Sequence, residues 1–297
     1  MINRKQKTLI NVRTPMIIFL APFLSLFVIF TVLPILSSIA LSFTQFNMFQ
    51  PPVFAALENY IRMFFDDDVF IIALRNTLVF ALITGPIGYI LSFMFAWFIN
   101  EFARGIRAVM TVIFYGPSLA GNVFFMWLFI FSGDSVGLLN STLMRMGLLQ
   151  APAQWLTDPR LIMGVVIAVI LWLSMGAGFL AFVAGLQNLD RQLFEAAAID
   201  GVNNRFQELF FITLPQMKPQ LLFGAVMTIA QSFAVGYEAM ALTGFPSTDY
   251  RAHTLVLHIM DLGAVRFEMG YASAVATALF TIMFVIYIAV NNVLREK

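Results

Sequence analysis

The side chains able to do chemistry are few. Glu238 is the one carboxylate inside a long apolar run, with Tyr237 beside it and Gln231 and Ser232 just before. An ionisable group at membrane depth is costly and marks a functional position. Gln231 and Glu238 are seven residues apart, so one continuous helix would put them on the same face. Amide, hydroxyl and carboxylate groups in such a stripe can hydrogen-bond the hydroxyls of a passing solute. The alternative is that Glu238 snorkels to the outer surface or caps a neighbouring helix. Asn76, Asn122, Trp172 and Ser174 are further candidates for a path lining, Trp172 either as a stacking surface or as a packing residue.

Other chemistries are excluded. The chain has no Cys, so disulfides, zinc ribbons, iron–sulfur sites and thiol catalysis are out. Its two His residues, His253 and His258, lack metal-pair spacing and fall in a polar loop, where they are expected to be solvated. None of Lys5, Lys7, Lys218 and Lys297 follows a glycine-rich loop, so no Walker-type phosphate cradle exists. No H-E-x-x-H occurs, and no span pairs Ser with His. A single peripheral Glu is poor material for ion coupling. A net charge of +1 leaves no footprint for nucleic acid. The chain reads as no enzyme, with no cofactor and no metal of its own.

The elements that must position these groups follow from composition. Of 297 residues, 60% are hydrophobic and 11% charged, against about 25% charged in soluble domains. Lipid must therefore be the solvent for much of the chain. Six segments are long enough to cross as helices: 15–43, 71–99, 109–131, 161–186, 221–242 and 271–293. Gly85-Pro86 with Gly88 is expected to break or kink the second, and Gly116-Pro117 lies near the middle of the third. Gly176 and Gly178 allow close helix approach in the fourth. Continuous apolar runs exclude a barrel, whose strands alternate. The first run is too long for a secretory signal and is read as a retained helix. The fold expected is all-α integral membrane: a tail 1–14, a first helix 15–43, an outer loop 44–70 and a core 71–293 of five helices.

Lys and Arg set the orientation. With both termini inside (N-in/C-in), the inner segments hold every Lys together with Arg4, Arg13, Arg104, Arg107, Arg191, Arg205 and Arg295. The outer segments hold Arg62, Arg75, Arg145, Arg160, Arg251, Arg266 and the acidic run Asp66-Asp67-Asp68. The longer inner loop, 187–219, is polar and internally structured. Asp190 is a good N-cap and Gly201 a good left-handed exit. Between them a short helix holds Glu195, Ala196, Ala197 and Ala198, and a second can start at Asn204 with Gln207 as capping-box partner. An interfacial connector resting on headgroups is one reading. The loop's acidic balance, with Glu195 and Asp200 where Lys or Arg would face lipid, favours a protein partner instead.

Glu195-Ala196-Ala197, Asp200-Gly201, Ile212, Leu214-Pro215 and Pro219 resemble the coupling loop of binding-protein-dependent ABC importer permeases. The stretch from Glu195 to Pro215 is one residue longer than the commonest pattern, with the insertion in the second helix, and Val202 replaces a usual Ala. Asn76-Thr77, Trp127, Gly137 to Asn140 with Trp155-Leu156, Ala184 to Gln187, Leu242-Thr243-Gly244 with Thr254 to Leu257, and Met269 to Ala274 are similar to the carbohydrate (maltose/glycerol-phosphate type) branch. Phe245-Pro246-Ser247 stands where that branch often has a Gly-rich turn. The resemblance implies type I importer architecture in a prokaryotic cytoplasmic (inner) membrane. It implies that Glu195, Ala196, Ala197, Asp200, Gly201, Leu214 and Pro215 dock on an ATPase. It implies as partners a second homologous permease, two ATPase subunits that bind the ATP and Mg, and an extracytoplasmic binding protein delivering a carbohydrate. Transport would run by alternating access. A stand-alone secondary transporter is the competing reading; no internal repeat is evident to support it.

Overall fold

The computed structural model describes residues 17–121 and 123–295. The expected tail 1–14 and the candidate Asn122 lie outside the described residues. In chain order the helices are α1 (Ile17–Leu41, with a π turn at Val28–Val32), α2 (Glu58–Phe65), α3 (Asp68–Asn100), α4 (Arg104–Leu119), α5 (Phe124–Ile130) and α6 (Leu138–Arg145). There follow α7 (Ile162–Leu173), α8 (Ala177–Gln187), α9 (Arg191–Ile199), α10 (Arg205–Glu208), α11 (Lys218–Phe233), α12 (Tyr237–Thr243), α13 (Leu255–Met260) and α14 (Met269–Arg295). Among the described residues, four stretches are long and apolar enough to cross a membrane: α1, α3, the pair α7–α8 and α14. The bent pairs α4–α5 and α11–α12 bring the number to six if each is one span.

The chain divides into two units. The first holds residues up to Asp66 and Ile259–Ala278. In it α1 buries none of its residues, with Phe19 84% and Phe30 73% exposed. A helix that is apolar all round reads as a membrane span. The all-α expectation meets one exception here, an antiparallel pair of β1 (Thr44–Gln45) and β2 (Val53–Phe54) in register Thr44↔Phe54. The connection turns because Asn47 Oδ1 accepts from Phe49 N at 3.2 Å and Gln50 N at 3.0 Å. The hairpin is held to the start of α14 by Gly270 N donating to Phe46 O at 3.0 Å. Arg62 ion-pairs with Glu268 and stacks 4.2 Å over the Tyr271 ring.

The second unit, Asp67–His258 and Leu279 onward, is built around α3, α8 and α11. Asp67 starts α3 by accepting from Phe70 N at 2.9 Å, a use of the acidic run that helix polarity favours. Contrary to expectation, α3 runs unbroken through Gly85-Pro86. In lipid, opening a turn exposes several backbone groups, whereas Pro86 deletes only one bond. Phe93, Phe179, Phe182, Met175 and Met217 pack between the three helices, and Phe182 meets Tyr89 and Phe93 edge-on at 5.4 and 5.6 Å. Gly178 delivers its expected close approach: a Cβ there would lie 3.4 Å from Gly224 Cα.

Candidate functional site

Three of the six apolar segments expected from sequence are interrupted, and the interruptions converge. The third breaks after Leu119, not at Gly116-Pro117, and its halves α4 and α5 meet at 88°. The fourth breaks at Ser174 to Gly176 between α7 and α8. The fifth breaks at Ala234 to Gly236, bending 44° between α11 and α12. Ala120, Gly121, Val123, Ser174, Ala234 and Val235 from these breaks all line one cavity of about 390 Å³. Irregular backbone at membrane depth is tolerated where it borders a cavity or is satisfied within protein. Both hold here: Gly236 N donates to Glu238 Oε2 at 3.2 Å, and Val235 O accepts from Thr254 Oγ1 at 2.6 Å.

Of the residues singled out in sequence, Ser174, Gln231, Ser232, Tyr237 and Glu238 line this cavity. Gln231 and Glu238 do not share a face of one helix, because the helix ends at Phe233 and restarts at Tyr237. They share the cavity because the chain bends between them. Glu238 is half-buried, and its carboxylate accepts from Gly236 N in the break that precedes its own short helix. Thr84, Ser118 and Thr228 also line the cavity and were not singled out, since hydroxyls in apolar helices usually bond their own backbone. These do so too, to Phe80, Tyr115 and Gly224 oxygens. Trp172 packs edge-on against Trp127 at 5.2 Å and does not line the cavity.

Asn76 is likewise elsewhere. Its buried amide donates to Tyr250 O at 2.7 Å and His253 O at 2.8 Å, and Thr77 Oγ1 accepts from Leu255 N at 2.9 Å. The pair clamps the segment after the fifth span onto α3. Both His side chains are buried, not solvated. His258 Nε2 lies 3.1 Å from Asp67 Oδ2, and the His253 ring meets the His258 ring at 5.7 Å. A second clamp closes the loop between the third and fourth spans. Fully buried Asn140 donates to the Ser132, Asp134 and Ala153 oxygens, and its Oδ1 accepts from Ala153 N and from Trp155 Nε1 at 2.8 Å.

The loop between spans four and five is two helices with well-made ends. Asp190 Oδ1 accepts from Gln192 N at 3.0 Å to start α9. At its end Val202 N donates to Ala197 O at 2.9 Å and Gly201 N to Ala198 O at 3.4 Å, the paired bonds of a Schellman stop. Gly201 takes φ +95°, which only glycine adopts without strain. Asn204 Oδ1 accepts from Gln207 N at 2.8 Å, and Gln207 Oε1 answers from Asn203 N at 3.0 Å. After Glu208 comes a π turn, Leu209–Thr213, and then Leu214–Gln216. Arg205 bridges Glu208 at 2.7 Å and Glu101, beyond the end of α3, at 2.9 Å. The Glu208 hydrogen bond and then the Glu101 charge raise its proton affinity further. The exposed residues of α9 are mixed: Ile199 is 87% exposed, and Arg191, Glu195, Ala196 and Ala198 are exposed with it.

The model of the family described as binding-protein-dependent transport system inner membrane component matches residues 84–296. The chain belongs to that family: a multi-pass membrane permease subunit of ABC transporters, and not an enzyme. It is similar to a probable ABC transporter permease protein, YesP, of Bacillus subtilis (strain 168), at 32% identity over 89% of this chain and 85% of the relative. It is similar to the lactose transport system permease protein LacF of Rhizobium radiobacter, at 32% identity over 91% and 89%. Among solved structures, a bacterial ABC transporter involved in the import of the acidic polysaccharide alginate superposes with a TM-score of 0.75 at 25% identity, covering 98% of this chain and 99% of that one.

Proposed function

We propose that this chain forms half of a membrane path for a carbohydrate, works by alternating access, and is driven by a separate ATPase gripping the 187–219 loop. The observation that carries the reading is the convergence of three helix breaks on one cavity. At about 390 Å³ it falls within the usual range for small-molecule sites, roughly 300–1,000 Å³. Its lining suits a sugar: the Gln231 amide, the Glu238 carboxylate, the Ser118 and Ser174 hydroxyls, and the exposed ring of Tyr237, which leans on Phe124 at 5.7 Å. Lactose and alginate transport by the relatives supports the same substrate class.

The loop supplies the mechanics. Two capped helices on either side of Gly201 form a stiff lever, and Arg205 ties it to Glu101 at the end of α3. Glu195, Ala196, Ala197, Asp200 and Gly201 face the motor, while Leu214 and Pro215 carry the displacement into α11. With both termini in the cytoplasm of a prokaryotic inner membrane, the loop meets the ATPase, and the Asn76 and Asn140 clamps stiffen the side that receives the binding protein. ATP and Mg stay on the ATPase; a second permease of the same family completes the path and covers α1.

The test is uptake of radiolabelled oligosaccharide in cells lacking the ATPase subunit. Uptake should vanish there and persist, in cells holding ATP, when an uncoupler collapses the proton gradient. Uptake that survives ATPase loss and falls with the uncoupler would make the chain a secondary transporter.

A further inference from the structure

At the loop end of the spans a second cavity, of about 710 Å³, opens between the end of α3, the start of α4 and the loop helices. Four arginines line it, Arg104, Arg107, Arg191 and Arg205, against two carboxylates, Glu101 and Glu208. Arg205 engages both carboxylates. Arg107 Nη2 is fixed on the Asn100 and Phe102 oxygens at 3.0 and 3.1 Å, which orders its guanidinium without cancelling its charge. Arg104 and Arg191 are exposed and form no ion pair among the described residues. Three cations from two separate stretches of chain thus share one space with no carboxylate of their own. Like charges gathered this way repel one another unless an anion joins them.

We propose that this cavity binds a phosphate group, held by Arg104, Arg107 and Arg191. Guanidinium forks match phosphate oxygens, and forks arriving from different segments suit a tetrahedral anion better than a planar one. The level is that of a membrane surface, just beyond the 33-residue α3, with Trp97 in the lining, a residue type enriched at headgroup depth. A phospholipid headgroup and a soluble phosphate present the same chemistry here. Either one bridges α4 to α9, so the occupied site holds the lever against the spans and favours the arrangement in which those arginines are close.

The experiment uses the full-length chain in its assembled complex, in nanodiscs of phosphatidylcholine alone titrated with inorganic phosphate, and in nanodiscs containing phosphatidylglycerol. Thermal unfolding and native mass spectrometry read binding. R104Q/R191Q removes two of the forks at exposed positions, and R104K/R191K keeps the charge. A rise in unfolding temperature with inorganic phosphate assigns the site to a soluble ligand; a rise and retained adducts only with phosphatidylglycerol assign it to the lipid. Both support the site if R104Q/R191Q weakens the response about tenfold or more and R104K/R191K restores part of it. No response in either arm, or an equal response in R104Q/R191Q, overturns the proposal.

Discussion

Gln231 lies across Gly176: its Nε2 stands 2.9 Å from where a Cβ on residue 176 would be. The amide of the fifth span therefore rests on the break of the fourth, at the cavity wall. Gly176→Ala pushes that amide away, and Gln231→Leu removes it. Each should lower uptake about fivefold to tenfold, the worth of roughly one hydrogen bond, with the complex still assembled. The double variant should lose no more than the worse single, because both act on one group. Uptake rates and affinity in matched amounts of complex check this; unchanged values in Gln231→Leu would make the amide a packing group.

Asn76→Ala strips the donor from two buried carbonyls, those of Tyr250 and His253. The expected cost is about 2–3 kcal/mol, seen as a lower unfolding temperature of the purified complex. Because Asn76 does not line the cavity, uptake per assembled complex should keep its substrate affinity. A changed affinity with intact stability would place Asn76 in the path after all.

How much of this was legible in sequence depends on the reach of each interaction. Asp190, Gly201 and the Asn204–Gln207 pair could be read because a cap is a contact within a few residues. The breaks could not. Gly85-Pro86 and Gly116-Pro117 look like breakers, yet both sit inside helices, while Ser174 to Gly176 and Ala234 to Gly236 break beside the cavity, where Thr254 Oγ1 donates to the freed Val235 carbonyl. His258 was misplaced for the same reason: its partner Asp67 is 191 residues away in sequence. The acidic sum of the 187–219 loop hid a basic cavity, since Arg191 joins Arg104 and Arg107 from another loop only after folding. Asn76 and Trp172 stand out in sequence by residue type alone; in the fold one holds a clamp and the other packs on Trp127.

Asn140 and Trp155 give a graded test. Trp155→Phe loses one hydrogen bond, about 1 kcal/mol. Asn140→Ala leaves three carbonyls and two N–H groups, Ala153 N and Trp155 Nε1, without their side-chain partner and should cost about 3 kcal/mol or more. Protease sensitivity of the 132–160 loop should follow that order; the reverse order would mean the cluster does not hold the loop.

Gly201→Ala forces a Cβ into φ +95°, at a cost of about 1 kcal/mol. Asn204→Ala removes the cap of the second helix for a similar amount. Membrane insertion should be normal in both, while the ATPase subunit co-purifies in reduced amount. Glu195→Lys should do the same by charge alone. Full co-purification and uptake in all three would remove the lever from the account.

The most direct measurement exploits the absence of Cys. Ile199→Cys creates a single thiol on the exposed face of α9. In the assembled complex this thiol should cross-link to the ATPase subunit, and in intact cells it should resist a membrane-impermeant maleimide added from outside. Labelling from outside, or a thiol that never reaches the ATPase in active complex, would contradict the claim that this loop is where the motor holds the permease.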